Sequence, residues 1–447
     1  MRIAHFLILC LLSSVTLNAQ KAFTIDEAIE YTIKNSNQIK LNRIDIEMAE
    51  KDIKEYYALS LPKINGKVDY QHFLEIPVSF VPAEFFGGPP GQFSELQFGL
   101  SNTLVGGLSM NTLIFDGSFL TGIRAQKLYR EFTSKSIDQT SYEIRKNVTE
   151  AYVNVLLTEE NIEVIDKNLE NLNESITETR AYYDNGFVEK LDVDRLELSY
   201  DNLLAQKKSL ERLATLGRNV LKFQMYYPME EEVVLTQSLD DIVDQVLMVD
   251  DQVSDDIDYN KRPEYQTILL GQQLNDINLK ATRNSRYPSI YGFANYQQQL
   301  QRNNLFDSDA PGFTPISIVG LTLNVPIYNG GEVAIKEQKI KLDMEKTSIQ
   351  KNDFERAVDL QIMNAYQQYL NAKENMFSAK RQEALAEDIY DITTIKYKEG
   401  VGSSLETRQA ERELYTAQQQ YMQALFELVS SKVALDVSTG DINENPY

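Results

Sequence analysis

Helical periodicity appears near the start of the chain and recurs further along it. A helix is predicted over residues 26–59, where Thr24 and a glutamate three residues later form a capping signal. A second helix is predicted over residues 263–283. A proline follows each of them, Pro62 or Pro288, and a proline cannot continue a helix. Both helices are therefore expected to end before a change of structure.

After each proline, polar and apolar side chains alternate, which predicts β-strands with one apolar and one polar face. Strands are predicted at about residues 63–72 and 95–115, and again at about 289–301 and 316–326. Soluble sandwiches show the same alternation. The length of the second strand and the phenylalanine-rich loop before it favour a membrane barrel.

A very long helix follows each strand pair. Residues 118–183 contain no proline, and apolar side chains recur in them with the heptad spacing of a coiled coil. At 1.5 Å per residue such a helix is roughly 100 Å long. The chain then reverses at Gly186 and runs back to about residue 226. A helix of this length suits a duct or a spacer better than a globular core.

These landmarks occur twice in the same order, which predicts duplication of a domain-sized unit. Strand-to-helix corners are predicted at Gly117 and Gly330, and helical hairpin turns at Gly186 and Gly400. The predicted organisation is a signal peptide (1–19), a first repeat (20–228), an acidic connector or equatorial region (229–260), a second repeat (261–440) and a short tail (441–447).

Composition narrows the possible functions. The net charge of −22 argues against nucleic acid as a partner. Residues 1–19 have the order of a secretory signal peptide and include Cys10, the only cysteine, so no disulfide or cysteine-based metal site is expected. No later run of apolar residues is long enough for a transmembrane helix. If the long helices enclose a duct, acidic residues that line it would favour cations over anions. The sequence leaves open whether the acidic residues face such a duct.

Two strand pairs cannot close a barrel within one chain, and open edges cannot be left in lipid. Chains are therefore expected to pool their strands. A dimer would supply eight strands, whose interior side chains largely fill, whereas a trimer would supply twelve and leave room for a lumen.

With its prolines before strands, its Phe115-Asp116-Gly117 and Tyr328-Asn329-Gly330 corners and its Tyr-x-x-Gly turns, the chain resembles the outer-membrane efflux protein family, the TolC-like channels. The resemblance implies a mixed α and β fold, in which a homotrimer forms a 12-stranded transmembrane β-barrel continuous with an α-helical tunnel. It further implies a passive channel in the outer-membrane lipid for efflux or type I secretion. The implied partners are a periplasmic adaptor (membrane fusion) protein and an inner-membrane pump.

In such channels, hydrogen bonds and ion pairs at the hairpin tips close the periplasmic end. The resemblance places the closing tyrosine at Tyr397 and the acidic constriction at Glu406. The family's arginine two residues after the glycine is absent, so Arg408 is the candidate to supply the pairing charge instead. The equivalent gate candidates in the first repeat are Tyr183 and Asp192.

An enzyme and a passive scaffold are the alternatives. No nucleotide-binding, hydrolase or metalloprotease motif occurs, so neither catalysis nor a cofactor is expected. A periplasmic coiled-coil scaffold or adhesin without transport activity would account for the heptads, but not for the two alternating strand pairs.

Overall fold

The computed structural model describes residues 21–248, 257–306 and 311–441. The predicted signal peptide lies outside these ranges, as do part of the acidic connector and nearly all of the predicted tail.

Eight α-helices and eight β-strands occur in the described residues. The helices are α1 (Ile25–Asn35), α2 (Asn37–Ala58), α3 (Gly117–Asp184), α4 (Lys190–Gln224), α5 (Leu239–Met248), α6 (Pro263–Asn284), α7 (Glu332–Lys398) and α8 (Ser404–Thr439). The strands are β1 (Ala22–Phe23), β2 (Lys63–His72), β3 (Val78–Pro82), β4 (Phe93–Gln97), β5 (Asn102–Phe115), β6 (Val234–Leu235), β7 (Ser289–Arg302) and β8 (Thr314–Asn324).

The chain forms two compact units, and each unit takes segments from both sequence repeats. The sheet unit comprises Asp45–Thr133 and Ile268–Ile349. The helical unit comprises the described residues 21–44, 134–248, 257–267 and 350–441. The compact units of the fold therefore differ from the units of the sequence duplication.

The sheet unit contains a four-stranded antiparallel sheet in the order β2–β5–β7–β8. In this unit β3 and β4 form a separate antiparallel hairpin, which the sequence analysis did not predict. Pairing between β5 and β7 joins the two sequence repeats within one sheet.

The helical unit is built around a core that α3, α4, α7 and α8 share with smaller elements. The capping box predicted at Thr24 is present: its side chain accepts a hydrogen bond from the Glu27 amide, and the Glu27 carboxylate accepts one from the Thr24 amide. In the core, buried side chains of α1 and α5 pack with those of the long helices. Most of the heptad seam of α3, including Val148, Val155 and Leu172, is buried.

Two sequence-based predictions were wrong in their boundaries. The helix predicted over residues 26–59 is interrupted at Ser36, where ψ is 126° and the side chain accepts a hydrogen bond from the Ile39 amide. The strand predicted over 95–115 is interrupted between β4 and β5, where Gly99 has a φ of +143°. A positive φ is incompatible with a continuous strand, so β4 ends before Gly99 and pairs with β3.

The described part of the acidic connector contains regular secondary structure. In this region β6 pairs in parallel with β1. The apolar side of α5 is buried through Leu239, Ile242 and Val246, while Asp240 and Asp244 are exposed. The acidic residues of α5 thus occupy the outer side of an amphipathic helix. A search of the described helices found none long and apolar enough to cross a membrane.

Candidate functional site

The four-stranded sheet places mainly apolar side chains on one face and mainly polar side chains on the other. Directly paired residues place their side chains on the same face of a sheet. One row across the four strands consists of Ile64, Met110, Ala294 and Val319. The adjacent row, on the opposite face, consists of Asn65, Ser109, Asn295 and Ile318. We call these the apolar face and the polar face.

Among the described residues, no layer covers the apolar face. Val68 is 75% exposed on β2, and Val319 and Leu321 are 85% and 72% exposed on β8. Among the described strands, β2 and β8 each pair with one neighbour only, so both edges of the sheet remain open. A surface of this kind needs an apolar medium on one face and partner strands at its edges.

The predicted strand-to-helix corners lie where the sheet gives way to long helices, and they differ in geometry. Asp116 precedes α3, and its carboxylate accepts a hydrogen bond from the Phe119 amide at 2.9 Å. A Cβ on Gly117 would lie 2.9 Å from the Asn284 carbonyl oxygen, so glycine permits close packing there. Gly330 instead has a φ of +64°, which favours glycine for conformational reasons.

The two hairpin tips have the same backbone turn. Gly186 follows α3 with a φ of +79°, and Gly400 follows α7 with a φ of +74°. Each glycine amide donates to the carbonyl of the tyrosine three residues earlier, Tyr183 or Tyr397. The next amide donates to the carbonyl five residues back, which completes a Schellman motif at both tips.

Near the tips, polar contacts join the two helical hairpins. The Ser404 hydroxyl of α8 donates a hydrogen bond of 2.5 Å to the Asp192 carboxylate of α4. Lys398 of α7 forms an ion pair of 2.8 Å with Glu178 of α3. A cavity of about 40 Å³ lies among the four helices. We call its surroundings the tip cluster, whose polar members are Ser175, Glu178, Thr179, Tyr182, Asp192, Tyr390, Thr394, Tyr397, Lys398, Ser404, Thr407, Arg408 and Glu411.

The structure brings three of the five gate candidates into this cluster. Asp192, Tyr397 and Arg408 all line the cavity, and Arg408 donates through Nε to the Ser404 carbonyl at 3.2 Å. Burial raises the pKa of the Tyr397 phenol. Tyr183 and Glu406 are exposed and do not line the cavity.

Glu411 is a member of the cluster that the sequence analysis missed. It is 3% exposed, and its carboxylate accepts a hydrogen bond from the Tyr415 hydroxyl at 3.1 Å. Desolvation raises the pKa of Glu411, although the Tyr415 hydrogen bond, Arg408 and Arg412 oppose the shift. A sequence signal was available: Glu411 shares a helix face with Arg408 and Tyr415, three and four residues away.

The described residues thus combine a two-faced antiparallel sheet with open edges and two pairs of long helices. The family model described as outer membrane efflux protein matches residues 261–441, which confirms the resemblance to that family. That description also agrees with the predicted outer-membrane location. A search of curated proteins found no match.

Solved structures with this fold align over most of the chain. The channel protein CusC aligns with a TM-score of 0.72 and 14% identity, over 95% of each chain. VceC, an outer membrane protein of Vibrio cholerae, has a TM-score of 0.67 and 14% identity, over 93% of this chain and 96% of its own. The open state of the Neisseria gonorrhoeae MtrE outer membrane channel has a TM-score of 0.69 and 16% identity, over 93% of this chain and 88% of its own. At these identities the alignments establish the fold alone.

Proposed function

We propose that this chain is one subunit of a homotrimeric outer-membrane channel that passively exports substrates delivered by an inner-membrane pump and a periplasmic adaptor. The observation that carries the proposal is the four-stranded sheet, with its exposed apolar face and two open edges. In a closed membrane barrel, lipid covers an apolar outer face and neighbouring subunits supply the missing edge partners.

The order of strands supports closure between copies. Each neighbouring pair in β2–β5–β7–β8 is antiparallel, so β2 and β8 run in opposite directions. The β8 edge of one subunit can therefore pair with the β2 edge of the next and continue the antiparallel pattern. Three copies give twelve strands, enough to enclose a lumen lined by the polar face.

The tip cluster supports a role in closing the periplasmic end. Contacts such as Ser404 to Asp192 and Lys398 to Glu178 hold the two helical hairpins of one chain together. Separation of the hairpins would expose Glu411 and the Tyr397 hydroxyl to water. The cluster is thus a set of contacts that an opening movement must break, and Asp192, Tyr397 and Arg408 are the gate residues that we propose.

Disulfide trapping tests the barrel. Val68→Cys on β2 is combined in turn with Ser317→Cys, Val319→Cys or Leu321→Cys on β8, which samples the register on one face. Within a chain the two edges are three strand spacings apart, roughly 14 Å, which is beyond the roughly 7 Å Cα separation that a disulfide can bridge. In outer-membrane fractions we expect cross-linked dimers and trimers, and no larger species.

The matched control combines Val68→Cys with Ile318→Cys, whose side chain lies on the opposite face. It should cross-link poorly. A monomer released with the soluble periplasmic fraction would contradict the channel and favour the coiled-coil scaffold.

The proposed adaptor and pump are tested separately, by their co-purification with the trimer. Transport is tested by deletion of the chain, which should reduce drug tolerance, and the wild-type chain should restore it.

A further inference from the structure

The charged side chains on the polar face of the four-stranded sheet lie on one edge strand. The polar-face positions are the odd-numbered residues of β2, of β7 and of β5 up to Leu113, and the even-numbered residues of β8. At these positions of the described strands, the charged residues are Lys63, Lys67 and Asp69, and all of them lie on β2. The fixed charge of the polar face is therefore set by β2 alone.

Two of these charges balance each other, and the third remains. The Lys67 ammonium forms an ion pair of 2.9 Å with the Asp69 carboxylate, two residues along the same face of β2. Lys63 is exposed, and no acidic group of the described residues forms an ion pair with it. Each chain therefore presents one unbalanced positive charge on this face, although the whole chain carries a net charge of −22.

The backbone around Lys63 fixes its position in the sheet. It follows Pro62 as the first residue of β2, at the end of the sheet where α2 ends and α3 begins. The Thr112 hydroxyl of β5 donates a hydrogen bond of 2.9 Å to the Ser60 carbonyl, just before this strand. Lys63 pairs directly with Asn111, so the two side chains lie beside each other on the polar face.

We propose that Lys63 of each subunit contributes to a positively charged ring in the barrel lumen, and that this section of the channel favours anionic solutes over cationic ones. The inference rests on the proposed function, in which the polar faces of three subunits line the lumen, and it specifies the charge that this lumen attracts. Symmetry places the three unbalanced ammonium groups at the same level of the wall. Rings of lysine or arginine side chains are a means by which pores favour anions.

Reversal potentials of trimers in planar bilayers test the ring. In salt of about 10 mM the Debye length is roughly 30 Å, so a charge on the wall acts across the lumen. Lys63→Gln should shift the reversal potential towards cation selectivity, and Lys63→Glu should shift it further. Asp69→Asn leaves Lys67 unbalanced and should shift it towards anion selectivity. Each comparison is with the wild type, so charges elsewhere along the channel contribute equally to both.

Three outcomes would contradict the ring. The first is an equal reversal potential for wild type and Lys63→Glu, and the second is a shift of Asp69→Asn towards cations. The third concerns salt, because in about 1 M salt the Debye length is about 3 Å and the differences should disappear. Differences that persist there would come from an altered pore shape and not from the charge. Trimer yield should be the same for all variants, since Lys63 and Asp69 are exposed or half-buried.

A cysteine beside Lys63 measures the local potential independently. Asn111→Cys introduces a single thiol, because the chain's only cysteine, Cys10, lies in the predicted signal peptide. The rates of modification by anionic and cationic methanethiosulfonates are each divided by the rate for a small free thiol. Addition of Lys63→Gln should lower the anionic-to-cationic ratio by about threefold in about 0.15 M salt, the Coulomb effect of one charge several ångströms away. An unchanged ratio would overturn the proposal.

Lys51→Gln makes the same change of charge on α2 and is the matched control. From Lys51 to the end of α2 at Ala58 the helix runs roughly 10 Å, which exceeds the Debye length of about 8 Å in this salt. It should leave the ratio at Asn111→Cys unchanged. A ratio lowered equally by Lys51→Gln would mean that the thiol senses the overall charge of the chain, which would overturn the assignment to Lys63.

Met110→Cys, on the apolar face of β5, separates this inference from the proposed function. Lipid should protect it from both charged reagents. Modification of Met110→Cys with no modification of Asn111→Cys would overturn the proposed lumen and the ring together, as would failure of the wild-type trimer to form channels. Working channels whose selectivity does not depend on Lys63 would overturn the ring alone.

Discussion

The sheet exposes apolar side chains, whereas the tip cluster buries polar ones. The sheet leaves apolar side chains such as Val319 and Leu321 exposed and both edge strands unpaired. The tip cluster buries polar groups such as Glu411 and gives the carboxylate a hydrogen-bond partner within the same chain. A single chain therefore leaves the sheet incomplete, whereas the contacts of the tip cluster are already formed within it.

The two regions should therefore differ in what they require from outside the chain. In the proposed channel, lipid would cover the apolar face and neighbouring subunits would pair with the open edges. Contacts between the hairpins of one chain can instead be made and broken without dissociation of subunits. Mutations in the sheet should thus affect assembly, whereas mutations at the tips should affect opening.

The largest effect is expected from a charge on the apolar face. Leu321→Lys should destabilise the assembled barrel by about 2–4 kcal/mol per chain, the cost of a lysine that faces lipid near the bilayer midplane. The loss of stability is measured as the decrease in the amount of trimer that resists heating in outer-membrane fractions. Thr322→Lys, on the polar face of the same strand, is the control and should assemble. Equal assembly of both variants would show that lipid does not cover the apolar face.

Much of the sheet could be predicted from the sequence because its signals are local. Proline breaks and alternation with a period of two indicated strands, and β2 spans the same residues as the prediction. The interruption near Gly99 was missed because apolar residues stay at even-numbered positions on both sides of it, from Leu96 to Leu104. Alternation alone does not reveal that β4 pairs with β3 instead of continuing into β5.

The tip cluster was less predictable because its contacts join distant parts of the chain. Gly186 and Gly400 marked the turns, since a positive φ leaves a clear local signal. The partnership of Asp192 with Ser404 links residues 212 positions apart, and no local pattern encodes it. Resemblance identified candidates, but only the fold separated the clustered Asp192, Tyr397 and Arg408 from the exposed Tyr183 and Glu406.

A smaller effect is expected from loss of a tip contact. Asp192→Ala removes the acceptor of the Ser404 hydrogen bond, and a hydrogen bond to a charged group contributes about 1.5–3 kcal/mol. The closed state should be weakened by that amount, which raises the open probability of single channels while trimer yield stays unchanged. Glu406→Ala, at an exposed position, is the control. If Glu406→Ala raised the open probability and Asp192→Ala did not, the closing contacts would lie on the exposed surface of the tip.

The smallest effect concerns the protonation of Glu411. Charged or titratable groups lie around its cavity on all four helices: Glu178 and Tyr182 on α3, Asp192 on α4, Tyr390, Tyr397 and Lys398 on α7, and Arg408 on α8. On its own helix, Arg412 and Tyr415 also act on this carboxyl. Burial raises the pKa of Glu411 above its ordinary value of 4.5. If opening exposes this carboxyl to water, its pKa in the open state returns towards that value.

Because the closed state has the higher pKa, a protonated Glu411 favours closure. This stabilisation is fully present below pH 4.5 and is lost as the pH rises through the raised pKa of the closed state. Open probability should therefore increase with pH above 4.5. Glu411→Gln, which stays neutral, should flatten this increase, whereas Glu413→Gln at an exposed position of α8 should retain it. Identical pH profiles for wild type and Glu411→Gln would mean that the tips open without exposing the buried carboxyl, so that the movement lies between subunits and not between the hairpins of one chain.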